Sequence, residues 1–155
     1  MMTRSYAGFA AILLIAGLLG WTASGMANIA NTKHNLSASG PGTYKATSET
    51  QICVFCHTPH NTNPAVPLWN HELSAAVYTP YGSNTLAAAA PGQPTGYSKL
   101  CLSCHDGTVA LGGVQNLPFG HQASGTISGL EAFLTGTANL GTDLRNDHPV
   151  SFTYD

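Results

Sequence analysis

The sequence is poor in charged residues and, after its first 27 positions, in large aliphatic residues. Asp, Glu, Lys and Arg make up 8% of the chain, whereas there are 17 Gly and 9 Pro. Such a chain cannot bury enough apolar surface to offset the conformational entropy that it loses on folding. The composition therefore predicts either a disordered chain or a fold in which a bound group supplies much of the core.

Clusters of basic residues are absent as well. The five Lys and Arg residues are dispersed, and the formal net charge is −2. Nucleic-acid binding would need a basic patch or stripe, and binding to a membrane surface would need a basic amphipathic helix after residue 27. We therefore expect neither nucleic acid nor a membrane as a partner of the mature chain.

Cysteine does not occur outside two pentapeptides, 53–57 and 101–105, and both of them read C-x-x-C-H. This pattern is the attachment signature of c-type haem. Two thiols three positions apart on a helical turn can each bond to one haem vinyl group, and the histidine that follows then reaches the iron from the same side. The sequence thus predicts two covalently attached haem c groups. They would be held by the thiols of Cys53, Cys56, Cys101 and Cys104, with His57 and His105 as the proximal iron ligands.

Zinc and disulfide bonds are the alternative uses of such cysteines. Zinc ribbons usually separate their cysteine pairs by about 15–20 residues, far less than the distance from Cys56 to Cys101. Disulfide bonds suit an exported chain but leave the histidine after each pair unexplained. A thioredoxin-like redox site would need a βαβ context, which is not visible in the sequence. Haem is therefore the favoured interpretation, and zinc and disulfide bonds stay as alternatives.

The N-terminus predicts export. Arg4 precedes an apolar run from Ala7 to Trp21, and Gly25 and Ala27 supply the small residues of a cleavage site. A run of about 15 residues is short for a membrane span, which needs about 20, so we interpret residues 1–27 as a secretory signal peptide. An uncleaved anchor is the alternative. Residues 28–155 would then form one domain without a membrane span, in the periplasm or at the cell surface of a bacterium.

Histidine is abundant for a chain with so few titratable groups. There are seven, all after residue 28, and all three methionines lie at or before residue 26. Methionine ligation is therefore excluded in a chain cleaved after Ala27. The surplus favours a histidine at the sixth position of each iron, which suits electron transfer because it closes the iron to small molecules. His71, beside Glu72, fits a surface or helix-start residue best, and His60 is too near His57 to reach the other face of the same haem.

The predicted fold class is mostly irregular, with a few short α-helices organised around the haems and no substantial β-sheet. Short helical turns are predicted at both motifs, the second one capped by Ser98 and ended by Asp106 and Gly107. Further short helices are predicted over 72–77 and 126–134. No alternation of period two is sustained enough to predict a sheet.

These motifs and their flanks resemble the multihaem c-type cytochromes with doubled CxxCH motifs, a group related in motif style to bacterial extracellular electron-transfer cytochromes. The matching stretches cover most of residues 28–155 and are 39–42 (SGPG), 53–61 (CVFCHTPHN), 67–70 (PLWN), 99–107 (KLCLSCHDG) and 146–152 (NDHPVSF).

The resemblance implies low-potential haems with two histidine ligands each, and single-electron relay without catalysis. It implies that the distal ligands are drawn from His34, His60, His121 and His148. Other redox proteins or cytochromes would be the partners, and self-assembly with shared haem ligation is compatible with the group. Relatives usually continue beyond the last matching stretch into further CxxCH motifs, which is compatible with this chain being a fragment of a longer member.

A haem-containing reductase subunit and a haem-based gas sensor are the alternative functions. Each would need one open distal site, and a reductase would also need a proton donor or a cation beside it. The sequence offers His71, Lys99 and Arg145 for that role. Carbon monoxide binding to the reduced protein separates these functions from electron relay, because only an open iron takes up the gas.

Overall fold

A computed structural model describes residues 28–62, 66, 68–118 and 123–152. The described chain is mostly irregular, as the composition predicts. It contains one α-helix, one antiparallel sheet of two short strands and three single 3-10 turns. The predicted signal peptide at 1–27 and His121 lie outside the described residues, and so do residues 153–155. No helix among the described residues is long and apolar enough to cross a membrane.

The single α-helix, α1, spans Gly96–His105 and carries the second motif. Its N-cap is Thr95, which makes no side-chain capping bond, and its C-cap is Asp106. Gly107 follows with φ of +69°, a left-handed conformation that glycine adopts at little cost directly after a helix. The predicted end of the helix is thus confirmed, but the predicted start is wrong. The helix begins before Ser98, and its entry does not depend on a hydroxyl cap.

The two strands are β1 (Gly113–Val114) and β2 (Gly125–Thr126), which pair antiparallel with Gly113 opposite Thr126. The main apolar cluster lies around them. Its buried members are Ala46, Phe55, Leu111, Val114, Ile127, Leu130 and Leu134. Gly112 has to be glycine here, because a Cβ would lie 2.7 Å from the Ile127 carbonyl oxygen and 2.8 Å from the Leu130 Cβ. The backbone therefore approaches residues 127–130 closely and closes this cluster.

A second, smaller cluster connects α1 to the C-terminal part of the described chain. It consists of the buried side chains of Tyr78, Leu102 and Leu144. The Thr79 N–H donates to the Thr142 carbonyl, and the Leu144 N–H donates to the Thr79 carbonyl, both at 2.9 Å. The end of the described chain is therefore tied to the segment that precedes α1.

Both of the additional short helices predicted from sequence are absent. The 126–134 segment makes the strand β2 and then folds back on residues 111–112, since Gly112 N donates to the Leu130 carbonyl at 2.9 Å. Within 72–77, the Glu72 N–H donates to the Gly113 carbonyl at 3.0 Å, so this amide is bonded to a distant residue instead of to a helical turn. Tertiary pairing outweighed a weak local preference in both places.

Candidate haem-attachment site

The second motif ends in a histidine whose ring is held in one orientation. His105 is the last residue of α1, and its Nδ1 lies 2.8 Å from the Ala138 carbonyl oxygen. A carbonyl oxygen only accepts, so Nδ1 carries the hydrogen and Nε2 has a free lone pair. The Leu140 N–H also donates to the His105 carbonyl at 2.7 Å. Metal-ligating histidines characteristically donate their second ring N–H in this way, which fixes both the tautomer and the ring plane.

His34 is the ring partner of His105. The two ring centroids are 6.1 Å apart, with the ring planes at 61°. A ligating imidazole nitrogen lies about 2.0–2.1 Å from its metal, so the centroids of two rings on opposite sides of one ion are about 6 Å apart. The centroid distance of His34 and His105 matches that value, with the two rings in a T-shaped, edge-on arrangement.

The first motif is held by tertiary hydrogen bonds. Cys53–Phe55 form a 3-10 turn, as the predicted helical turn required, and Phe55 is fully buried beneath it. The side-chain amide of Asn70 donates to the Val54 carbonyl at 2.6 Å, and the Asn70 backbone N–H donates to the Cys56 carbonyl at 2.9 Å. Asn70 is itself fully buried. One asparagine side chain and its backbone thus fix the carbonyl groups of this turn.

His57 is less constrained than His105. Its ring is exposed and lies edge-on to Trp69, with the ring centroids 6.5 Å apart and the planes at 86°. The backbones of the two residues form an isolated antiparallel bridge. The indole Nε1 of Trp69 is buried and has no hydrogen-bond partner among the described residues. A buried N–H donor without an acceptor is uncommon, and here it lies beside a predicted iron ligand.

The four cysteines are free thiols that differ in exposure. Cys53 and Cys101 are exposed, while Cys56 and Cys104 are half-buried against the main apolar cluster. Burial, then the charge of the neighbouring Cys56 thiol, raises the pKa of Cys104 to about 12. The pKa of Cys56 is also raised, by burial and then by Cys53 and Cys101. The thiols of the two motifs therefore lie close enough to influence each other.

The raised thiol pKa values differ from those of a redox-active C-x-x-C pair. The cysteines of such a pair have lowered pKa values, because the thiolate is the reactive form. Cys56 and Cys104 show the opposite shift. Among the described residues, which include all four cysteines, no group of three or more His, Cys, Asp or Glu side chains is arranged to hold a metal ion.

The remaining histidines are in very different surroundings. His60 and His148 are exposed, and His121 lies outside the described residues. His71 is only 1% exposed, so its interpretation as a surface residue is wrong. Its burial depends on the bridge between His71 and Val114, a contact between residues too distant in sequence for a local pattern to predict. Arg145, offered for a cationic role, is paired with Asp143 at 2.6 Å.

Directly after the second motif lies a buried polar network. Asp106 is 3% exposed and accepts from the Tyr78 hydroxyl at 2.5 Å and from the Thr108 N–H at 2.8 Å. Ser74 joins it through the Thr108 hydroxyl at 2.7 Å. Burial raises the pKa of Asp106, but hydrogen bonds from Ser74, Tyr78 and Thr108 outweigh it, and the net shift is downward. Sequence reasoning identified Asp106 as part of a helix end but not as a buried carboxylate.

Comparison with known proteins does not assign the chain to a family. No protein-family model matches the sequence, and no curated protein matches it either. The function therefore has to be argued from the residues and the geometry described above.

Proposed function

We propose that this chain is an exported dihaem c-type cytochrome that relays single electrons. The observation that carries the proposal is the His34–His105 pair, in which a second imidazole lies edge-on to the anchored His105 ring, 6.1 Å away between centroids, at the end of a C-x-x-C-H helix. A resident haem c would supply a one-electron iron couple at each motif. The two motifs supply the residues for two such groups.

Different residues of the chain would attach the two haems and ligate their irons. Cys53 and Cys101 present exposed thiols, and Cys56 and Cys104 present thiols at the apolar cluster, so each motif offers one thiol toward solvent and one toward the core. His57 and His105 supply the proximal nitrogens.

The protein fits such a group because its own core is small. The main cluster has seven buried apolar side chains, and much of the described chain is irregular. Apolar area buried against a bound group adds to the stability of a chain in the same way as area buried within it. The unpartnered Trp69 N–H beside His57 is a donor that a carboxylate substituent of a bound group can accept from.

We propose relay without catalysis because His34, whose ring lies beside that of His105, would close the iron of a haem held at the second motif. A reductase or a gas sensor would need an open position, and a reductase would also need a free proton donor or a cation beside it. His71 is buried and Arg145 is paired with Asp143. Partners would then be other redox proteins in the periplasm or at the cell surface.

The test is the absorption spectrum of the exported, reduced protein before and after adding carbon monoxide. We expect sharp low-spin c-type bands that the gas leaves unchanged. A clear shift would favour the reductase and sensor alternatives. If protein made in a host able to attach haem showed no haem bands, zinc binding or disulfide bonds would become the favoured interpretation of the four cysteines.

A pair of variants tests the ligand assignment. His105→Ala should remove the low-spin signature of one haem and leave that of the other, and His57→Ala should do the reverse. Electron paramagnetic resonance of the oxidised protein separates the two signals. Retention of both signals in either variant, with both haems still attached by intact mass, would show that the proximal assignment is wrong.

A further inference from the structure

His71 has the local geometry of a ligand, although the sequence predicts a surface or helix-start residue and offers it only as a proton donor for a reductase site. It is one of the most deeply buried side chains in the described part of the protein. Its Nδ1 lies 2.8 Å from the Glu72 carbonyl oxygen, so Nδ1 donates and Nε2 carries the lone pair. That Nε2 lies 3.4 Å from the Cys104 Sγ. The ring is therefore oriented by a backbone carbonyl and aimed at the second motif, in the manner of His105.

Haem attachment changes what the His71 Nε2 can bond to. In the free thiol, the Cys104 S–H is the donor to this nitrogen. When the thiol adds across a vinyl group, the S–H bond breaks, an S–C bond forms at one vinyl carbon, and the hydrogen is bonded to the other vinyl carbon. The thioether sulfur then has no hydrogen to donate. Nε2 becomes a buried acceptor whose former donor is gone, which costs free energy unless another group binds it.

The neutral form of imidazole, with a free lone pair on one nitrogen, is the form that binds a metal. The iron of a haem attached beside His71 would bind the ring through Nε2, because Nδ1 donates to the Glu72 carbonyl.

We propose that His71 is the sixth iron ligand of the haem attached through Cys53 and Cys56, whose proximal ligand is His57. The proposal rests on the dihaem function above. The proposed function assigns the sixth position of the second haem to His34, whose ring lies edge-on to that of His105. His71 is the residue after Asn70, whose backbone N–H donates to the Cys56 carbonyl at 2.9 Å. It lies where the two motifs meet, since Cys56 and Cys104 pack against the same apolar cluster.

The competing sixth ligands are less well placed. His60 and His148 are exposed, and the His148 Nδ1 lies 3.3 Å from the carbonyl oxygen of its own neighbour, Pro149. His34 is exposed as well, but its ring contacts that of His105, whereas no contact among the described residues joins the His60 or His148 ring to another segment.

The experiment uses His71→Ala in the exported protein, with both haems verified by intact mass. We expect one of the two haems to become high-spin and to bind carbon monoxide, and added imidazole to restore its low-spin spectrum. Ser37→Ala is the matched control, because Ser37 is equally buried and hydrogen-bonded but lies outside both motifs. It should bind no carbon monoxide.

The double variant His34→Ala with His71→Ala tests which iron each residue binds. If the two histidines close different irons, the carbon monoxide difference spectrum should have about twice the amplitude of either single variant. Equal amplitude in all three would mean that both residues act on one iron, and the assignment of His71 to the first haem would be wrong. A His71→Ala protein with two low-spin haems that ignore carbon monoxide would overturn the proposal altogether.

Should His71→Ala yield no folded protein, His71→Met replaces it. A thioether can still ligate iron, and methionine in place of histidine raises the reduction potential. One of the two midpoint potentials should therefore rise while both haems stay low-spin, and two unchanged potentials would overturn the proposal. A wild-type chain without any attached haem would instead refute the dihaem function itself, so the two failures are distinguishable.

Discussion

The two C-x-x-C-H motifs share their residue pattern but differ in how the chain holds them. The second is the end of a ten-residue α-helix, Gly96–His105, closed by Asp106 and by Gly107 in a left-handed conformation. The first is a 3-10 turn of three residues, Cys53–Phe55, without a side-chain cap. Helical hydrogen bonds maintain the second motif, whereas buried side-chain bonds from Asn70 maintain the first. The backbone of the same five-residue pattern is therefore held by local helical bonds in one case and by a distant side chain in the other.

Asn70→Ala should have the largest effect on this difference. Asn70 donates to the carbonyls of Val54 and Asn116, at 2.6 and 3.0 Å, and accepts from the Asn116 N–H at 2.9 Å. Each buried polar group left unpaired costs about 1–3 kcal/mol, so the free energy of unfolding should fall by about 3 kcal/mol or more. Denaturant unfolding measures it, with exposed Asn84→Ala as the control.

Hydrogen exchange locates that effect. In Asn70→Ala, amide protection should fall at 53–58 and stay nearly unchanged over 96–105, because the helix supplies its own hydrogen bonds. Equal loss of protection in both segments would mean that the two motifs unfold as one unit and that the comparison drawn here does not hold.

Tyr78→Phe tests the polar network at the end of the second motif and should cause the next largest fall in the free energy of unfolding. The Tyr78 hydroxyl donates to the buried Asp106 carboxylate, and burial together with that bond raises the pKa of Tyr78 to about 12, so it stays a neutral donor at ordinary pH. Loss of a hydrogen bond to a charged group costs about 2 kcal/mol. Tyr44→Phe is the matched control, since its hydroxyl bonds to Thr135 in an exposed position, and it should cost well under half as much. Similar losses of stability in the two variants would show that the Asp106 network does not hold the helix end.

The sequence predicted those parts of both motifs that depend on near neighbours. The turn at the first motif and the end of α1 at Asp106 follow from residues within a few positions, and both predictions are confirmed. The low content of regular structure follows from the many Gly and Pro residues and is confirmed as well. The assignments of cysteines and histidines to haem stay predictions.

The parts that sequence reasoning missed depend on distant contacts. The 126–134 segment has helix-like end signals, yet Gly129 has φ of +92° and Gly112 brings the 127–130 backbone into close contact. His71 has a charged neighbour, yet its bridge to Val114 buries it completely. The approach of His34 to His105 spans most of the described chain. None of these contacts has a local signature.

Gly107→Ala should have a smaller effect, confined to the end of α1. An added Cβ would lie 2.5 Å from the Asn139 Nδ2, and a non-glycine residue in the left-handed region costs about 1–2 kcal/mol. Gly136→Ala is the matched control, since Gly136 has φ of +73° but nothing within 4 Å of the added Cβ. Gly107→Ala should therefore lose about 1 kcal/mol more than Gly136→Ala in thermal unfolding. Equal losses of stability would mean that the Asn139 side chain moves aside freely. The packing next to Ala138, whose carbonyl accepts from the His105 ring, would then not be constrained.

The smallest effect concerns the exposed pair that follows the second motif. The Arg145 side chain donates to both Asp143 oxygens, at 2.8 and 2.6 Å, and lowers the pKa of Asp143 from 3.8 to about 2. A carboxyl group with a lowered folded-state pKa stabilises the fold above its unfolded pKa, and this contribution is lost as the pH falls through the folded-state pKa. The difference in melting temperature between wild type and Asp143→Asn should therefore be small and constant above about pH 5, and should shrink between about pH 4 and pH 2. Comparing the two proteins at each pH cancels the titration of the histidines, which is common to both.

Salt separates this contribution from the rest of the segment. Both side chains are exposed, and the screening length in about 1 M salt is about 3 Å. The small difference in melting temperature between wild type and Asp143→Asn should therefore largely disappear at neutral pH in high salt. The backbone bonds of Thr79 to Thr142 and Leu144 carry no net charge and should hold the segment against α1 under the same conditions. Asp143→Asn keeps an oxygen that can accept from the Arg145 backbone N–H, a bond that Asp143 makes at 3.2 Å, whereas Asp143→Ala removes this acceptor. A loss of stability in Asp143→Ala, relative to Asp143→Asn, that survived both acid and salt would show that Asp143 acts as part of a turn and not only as half of an ion pair. The end of the second motif would then rely, like the first motif, on a side chain that organises backbone groups.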